Sequence, residues 1–293
     1  MKLSWKLLLL YTFFVIVWGA FVRASGSGDG CGAHWPSCHG DMIIAQASET
    51  KTLIEYFHRA TSGLYGIFVL FLVIITCLKK NITKEVKFFA LGVLAFTVLE
   101  SLIGAKLVLS ELVGKNTSFT RAVVVMIHLS NTFFLILCNV GVLVGLDKKT
   151  KVLSFLKNKS INRHFYFVFL LFFATGASGA LAALGDSLYP SESLLEGFKM
   201  DINPESPLII KLRSFHPFFA FALSFLVIWS IQLGRVFSLP LIVLAISTLI
   251  VGLVNLAFLA PVWLQLFHLF MALSFWSFYV FYAFNFESDK SLD

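Results

Sequence analysis

The chain has 293 residues, of which 58% are hydrophobic and only 13% are charged, and its mean hydropathy is +0.86. A soluble domain carries roughly 25% charged residues, so this composition argues against a soluble protein and predicts an integral membrane protein. The net charge of +7 does not indicate nucleic acid binding. The basic residues lie between apolar runs, as they do in the cytoplasmic loops of membrane proteins.

Eight apolar runs of 16 to 27 residues follow one another along the chain, and a bilayer span needs ~20 residues. The first resembles a signal peptide, but no small-residue cleavage site follows cleanly, so we expect it to remain as the first helix. Pro240 and Pro261 divide the last apolar stretch into two helices. The predicted spans are residues 7–22, 53–78, 88–108, 120–146, 165–185, 209–233, 238–258 and 263–284.

The distribution of lysine and arginine predicts the orientation of these spans. If the N-terminus is cytoplasmic, 14 of the 23 basic residues lie in inner segments and nine lie at or near the outer side. This bias predicts that both termini are cytoplasmic, and the outer cations are suited to an anionic ligand on that side. The start of the chain does not resemble a mitochondrial presequence, which favours the plasma membrane of a prokaryote.

Two long outer loops, residues 23–52 and 186–208, each follow the first helix of a set of four. A polar, basic inner segment separates the two sets, and Gly19–Ala24 weakly resembles Gly176–Leu181. These features predict an all-α membrane protein made of two tandem, pseudo-symmetric four-helix bundles. Its parts are residues 1–146, the cytoplasmic linker 147–164 and residues 165–293.

Four histidines lie inside the predicted spans at nearly the same depth. They are five to eight residues from the outer ends of the second, fourth, sixth and eighth helices, or roughly 8–12 Å below the boundary. One intramembrane histidine is often only a hydrogen-bonded polar residue, but four at matched depth indicate function. Imidazoles on facing helices are typical haem ligands, whereas cysteine or carboxylate partners for zinc do not occur at matching positions. The sequence therefore predicts two haem sites, one in each half, with the ligands His58, His128, His216 and His268.

The two halves differ beside these histidines. Glu55 lies three residues before His58 and therefore on the same face of its helix, whereas Arg213 occupies the corresponding position before His216. This difference predicts chemistry in the first half, and electron transfer or a structural role in the second. The arginines Arg23, Arg59 and Arg121 lie at similar height and are candidates for haem propionate binding, or else are interfacial anchors.

The first outer loop contains two cysteines, Cys31 and Cys38, on the predicted oxidising side of the membrane. A disulfide is the favoured interpretation. A redox-active or metal-binding pair is the alternative, although the spacing is not that of CxxC. Cys77 and Cys138 lie within helices and are interpreted as packing residues.

Three segments resemble haem A synthases. Residues 26–40 read Gly-Ser-Gly-x-Gly-Cys-x-x-x-Trp-Pro-x-Cys-His-Gly, like the first external loop of that family. Glu55-x-x-His58-Arg59 resembles its second-helix motif, and residues 260–269 resemble its eighth helix. Two departures are the absence of cysteine from residues 186–208 and the presence of Pro217, where an arginine follows the histidine in the first half.

The resemblance implies an enzyme that oxidises a ring methyl group of haem O to a formyl group, with oxygen from water, and so supplies haem A to terminal oxidases. It implies that His58 and His128 bind haem O as substrate and that His216 and His268 bind a haem b cofactor. It further implies that Glu55 acts near the methyl group and that Cys31 and Cys38 form a disulfide.

The implied partners are haem O, membrane lipid, a haem O synthase and an electron acceptor, and a homo-oligomer stays open. Two other functions explain four histidines. One is a non-catalytic, di-haem electron carrier of the cytochrome b type. The other is a haem transporter or chaperone.

Overall fold

The computed structural model describes residues 1–42, 49–147, 152, 159–232 and 239–285 of the chain. The described residues form ten helices, which are α1 (Lys2–Ala24), α2 (Thr50–Leu78), α3 (Lys84–Leu109), α4 (Phe119–Asp147), α5 (Lys159–Leu188), α6 (Leu194–Ile202), α7 (Leu208–Arg213), α8 (Phe215–Gln232), α9 (Leu239–Ala257) and α10 (Val262–Asn285).

Eight membrane spans are confirmed among the described residues, since eight helical segments are long and apolar enough to cross a bilayer. Seven of the spans are single helices, and the sixth span along the chain consists of α7 and α8 together. The chain is therefore all-helical and of the integral membrane class. Most of the predicted linker 147–164 lies outside the described residues.

The sixth span is broken, contrary to the single helix predicted for residues 209–233. The first segment ends at Arg213, and the second begins at Phe215. Pro217 explains the break, because it has no N–H to donate and its ring collides with the carbonyl group four residues earlier, which is that of Arg213. His216 consequently lies in the first turn of α8.

The spans pack as two rings of four. Each of α1–α4 contacts its neighbour, and α1 also contacts α4; the second ring joins α5, α8, α9 and α10 in the same way. The rings meet where α1 and α4 pack against α5 and α10.

Aromatic side chains and one glycine form the contact between the rings. The buried indole of Trp276 in α10 donates a hydrogen bond to the carbonyl oxygen of Phe133 in α4, at 2.9 Å. A Cβ atom on Gly176 of α5 would stand 2.2 Å from the Phe133 ring, so only glycine permits this approach. Small residues commonly allow such close packing of membrane helices.

The two ends of the bundle differ in their polar contacts. At one end Lys2 forms a 2.6 Å ion pair with Asp147, which brings the start of α1 to the end of α4. At the other end lie the first loop and the short helix α6, whose N-terminus is capped by the side chain of Ser193. The four histidines lie toward this second end.

Candidate functional site

All four predicted histidines line one cavity of about 1320 Å³ within the bundle. They lie six to nine residues after the first residues of their spans, which begin at Thr50, Phe119, Leu208 and Val262. At 1.5 Å per residue, all four rings are roughly 9–14 Å from those helix ends. The structure thus brings together the four residues that the sequence singled out.

His216 and His268 face each other across the second ring of helices. Their ring centres are 6.1 Å apart, and their planes are inclined at 77°. One metal ion bonded to both rings at about 2 Å would hold the two ring centres roughly 6 Å apart. The Nδ1 atom of His216 lies 3.1 Å from the carbonyl oxygen of Thr175. That contact leaves Nε2 as the nitrogen that could bind a metal ion.

A glycine lies against three of the four histidine rings. A Cβ atom on Gly19 would stand 2.9 Å from Cε1 of His58. Cβ atoms on Gly179 and Gly252 would stand at the same distance from Cε1 of the second pair of histidines. By these contacts, Gly19 is equivalent to Gly179. The sequence similarity had instead aligned Gly19 with Gly176, three residues earlier.

Glu55 is 3% exposed, and its carboxylate accepts hydrogen bonds from two donor groups. The backbone N–H of Cys31 donates to Oε2 at 2.8 Å, and the guanidinium of Arg59 lies 2.6 Å from Oε1. These bonds tie the carboxylate to the first loop at the wall of the cavity, one turn above His58 on the same helix face.

The first loop is held in place by covalent and polar contacts. Cys31 and Cys38 are joined by a disulfide. Arg59 donates to the carbonyl oxygens of His34 and Ser37, which lie between the two cysteines. Because Arg59 also binds Glu55, one guanidinium connects the loop to the cavity wall.

The other two arginines also have protein partners. Arg23 donates to the carbonyl oxygen of Ala183 at 2.7 Å, to Ser187 at 2.8 Å and to Gln265 at 3.0 Å. Arg121 donates through one nitrogen to two carbonyl oxygens of the α3–α4 loop. Both side chains line the cavity, so the structure brings them to the cavity together with Arg59.

Two acidic residues line the cavity in the second half, which the spacing around His216 did not predict. Arg213 forms ion pairs with Asp186 at 2.9 Å and with Asp201 at 2.6 Å. These carboxylates come from α5 and α6, and their spacing from His216 gave no sign of the contact. Asp186 and Asp201 share the guanidinium of Arg213, whereas Glu55 also accepts a hydrogen bond from the backbone of the first loop.

Glu100 is the functional candidate that the sequence analysis missed. It lines the cavity from α3, and its Oε1 atom lies 3.0 Å from Nδ1 of His128. An acidic residue in the middle of an apolar span is itself a signal of function, and that signal was visible in the sequence. Within the described residues, no group of three or more His, Cys, Asp or Glu forms a metal site.

Comparison with known proteins places this geometry in context. A family model described as "Cytochrome oxidase assembly protein" matches residues 4–280. A Thermus thermophilus protein named "Protoheme IX farnesyltransferase" is 37% identical over 286 residues, which are 94% of this chain and 46% of that protein. A "Heme A synthase" of Staphylococcus saprophyticus is 33% identical over 171 residues, 57% of this chain and 54% of that protein. A "Heme A synthase" of Exiguobacterium sp. is 41% identical over 91 residues, 31% and 30% of the two chains. The chain thus spans about half the length, or less, of the curated relatives it matches.

Proposed function

This chain belongs to the haem A synthase family of cytochrome oxidase assembly proteins, and from this premise we propose that it converts haem O to haem A. The reaction oxidises a ring methyl group to a formyl group through two hydroxylations. Each hydroxylation adds an oxygen atom from water and releases two electrons and two protons, so an electron acceptor outside this chain completes the reaction. Loss of water from the twice-hydroxylated carbon leaves the aldehyde.

The observation that carries this proposal is the single cavity lined by four histidines and Glu55. Its volume of about 1320 Å³ exceeds the 300–1,000 Å³ typical of pockets for one small molecule. Haem groups also fit the donor set, because imidazole pairs are common ligands of haem iron. A glycine beside each of three imidazole rings leaves room for the imidazole to take the position that haem ligation needs.

In the first half, His58 and His128 hold the iron of haem O, which is the substrate. The long apolar tail of haem O favours its entry from the lipid. As electrons leave the substrate, its methyl carbon becomes electron-poor and is captured by water. Glu55 stabilises the developing positive charge or accepts a proton from the water. Its bonds to Cys31 and Arg59 hold it in position for either role.

In the second half, His216 and His268 would hold haem b. Their 6.1 Å ring separation suits two-sided ligation of one iron. When bound, haem b supplies a one-electron relay between the substrate site and the acceptor. The chain's own residues orient it, because the carbonyl oxygen of Thr175 fixes the ring of His216.

We also propose the finer architecture predicted from the sequence. The two rings of helices are tandem, pseudo-symmetric bundles, residues 1–146 and 165–293, joined by the cytoplasmic linker 147–164. Equivalent contacts of Gly19 and Gly179 with their histidines support this relation. Both termini are cytoplasmic, and the protein is multi-pass in a prokaryotic plasma membrane with its haem sites near the outer face.

The proposed partners are a haem O synthase, which would supply the substrate, and the electron acceptor. The match covers 46% of the Thermus protein, so the activity in that protein's name need not belong to the part that this chain resembles.

Pigment analysis of the purified protein, expressed with a source of haem O, tests the proposal. We expect haem b together with haem O and haem A, loss of haem O and haem A binding in His58→Ala, and loss of haem b in His216→Ala. Haem b alone at both sites would instead indicate an electron carrier. Substoichiometric haem would indicate a transporter, and farnesylation of protohaem would indicate the activity named for the Thermus relative.

A further inference from the structure

The Nδ1 atoms of the histidines face different groups in the two halves. In the second half, Nδ1 of His216 lies 3.1 Å from the carbonyl oxygen of Thr175 and 3.3 Å from the hydroxyl of Ser178, both neutral. In the first half, Nδ1 of His128 lies 3.0 Å from a carboxylate oxygen of Glu100. His128 in the first half therefore lies beside an acid, whereas His216 in the second half lies beside uncharged groups.

Glu100 is fixed in this position by α4 itself. The Asn131 side-chain amide donates to Oε2 of Glu100, and the Thr132 hydroxyl donates to Oε1 at 3.0 Å. Asn131 also donates to the carbonyl oxygen of Phe96, which lies one turn before Glu100 on α3. Asn131 and Thr132 are both almost fully buried. Two buried α4 side chains and the His128 ring thus converge on one α3 carboxylate.

Glu100 is an ionisable side chain within a membrane-spanning helix. Ionisable groups within a membrane span are unfavourable, and they are usually retained where they take part in function. Structural adhesion of α3 to α4 does not require a charge, because neutral amides and hydroxyls bind between membrane helices. The feature that only a carboxylate supplies here is a negatively charged acceptor for the Nδ1–H of His128.

We propose that Glu100 is a positioning residue for His128. Its carboxylate accepts a hydrogen bond from the Nδ1–H group, which fixes the ring so that Nε2 is the ligating atom, and its negative charge makes the imidazole a stronger electron donor to iron. Partners of this kind orient metal-bound histidines and raise their basicity. This inference rests on the proposed function, since it requires haem at His128. Its consequence is that the first haem has a lower reduction potential than a neutral partner would give it.

The test compares wild type with Glu100→Gln, which keeps the size of the side chain and one oxygen acceptor but removes the negative charge. Glu205→Gln, which changes an exposed acid between α6 and α7, is the control. Each protein is purified in detergent, stripped of haem and titrated with haem b as the probe, and the bound haem is then titrated electrochemically. We expect Glu100→Gln to weaken binding at the first site about 10- to 100-fold and to move its potential in the positive direction. The second site and the control variant should match wild type.

Three results separate the alternatives. Unchanged affinity and potential in Glu100→Gln would overturn the positioning role. Loss of haem A formation with affinity, potential and spectrum unchanged would also overturn it, because Glu100 would then act on the substrate directly. If His128→Ala leaves haem binding at the first site unchanged, the proposed function itself fails, and that outcome is distinct from either result.

Discussion

At the scale of single residues, a glycine sets the position of each of three histidine rings. A Cβ atom on Gly179 would stand 2.9 Å from His216, a separation at which the ring has to move. Alanine is favoured over glycine in a helix by roughly 0.5–1 kcal/mol, so Gly179→Ala should not weaken α5. We expect haem b binding at the second site to weaken about 10- to 100-fold, measured by titration of the haem-free protein.

Gly185→Ala is the matched control for that change. It lies on the same helix, where an added Cβ would have neighbours only at the ordinary distance of 3.5 Å or more. Equal haem binding by the two variants would show that the contact of Gly179 with His216 does not matter.

Glu55 should be necessary for turnover but not for haem binding. Its carboxylate is buried and bonded to the first loop, and it lies beside the proposed substrate rather than among the iron ligands. General acid–base groups contribute roughly 10²- to 10⁴-fold in rate. We therefore expect Glu55→Gln to reduce haem A formation by a factor in that range and to accumulate haem O, measured by chromatography of extracted haem.

Glu49→Gln, an exposed acid just before the same helix, is the control for loss of one negative charge. Undiminished haem A production by Glu55→Gln would remove Glu55 from the mechanism.

The shared depth of the four histidines and the helix face of Glu55 could be predicted from the sequence, because both follow from counting along one helix, and all five side chains line one cavity. Glu100 was not placed beside His128, because that contact joins two helices. It depends on how far α3 is rotated about its axis, and hydrophobic periodicity in a span that is apolar on nearly all sides does not fix that rotation. The same holds for Asp186 and Asp201, which reach Arg213 from two other elements.

At the scale of elements, the span boundaries were predictable to within a few residues because the bilayer sets helix length. The break at Ser214 was not predicted, although Pro217 signals it, since the apolar run continues across the break. The first loop shows the converse case. Its two cysteines predicted a disulfide, but the bond from the Cys31 N–H to Glu55 is a contact made only on folding.

The first loop should stabilise its end of the bundle through its disulfide. A disulfide typically contributes about 2–4 kcal/mol, and here it also restrains the Cys31 N–H that binds Glu55. We expect the double variant Cys31→Ser, Cys38→Ser to unfold at lower temperature and to make less haem A. Thermal unfolding in detergent and extracted haem measure the two effects.

The free cysteine Cys77 provides the control, since Cys77→Ser changes one thiol near the opposite end of α2. Identical unfolding of the double variant and wild type would rule out a stabilising role for the loop disulfide.

At the scale of the whole molecule, two rings of helices share one interface and one cavity. Near the histidines, the interface depends on Arg23 of α1, which donates to Ala183 and Ser187 of α5 and to Gln265 of α10. Gln265 lies three residues before His268, so the two share a helix face. Arg23 therefore joins the first ring to the helix that carries His268, a proposed ligand of the second haem.

Replacing Arg23 should accordingly disturb the second site more than the first. Hydrogen bonds from a charged donor contribute roughly 1.5–3 kcal/mol each, and Arg23→Gln loses most of them while keeping a polar side chain. We expect a lower unfolding temperature in detergent and weaker haem b binding at His216 and His268. Lys51→Gln, an exposed cation at the same end of the bundle, should behave as wild type. A uniform loss of haem from both sites would instead mean that Arg23 supports the fold as a whole. Loss of haem confined to the first site would indicate that Arg23 binds a propionate group of the substrate haem.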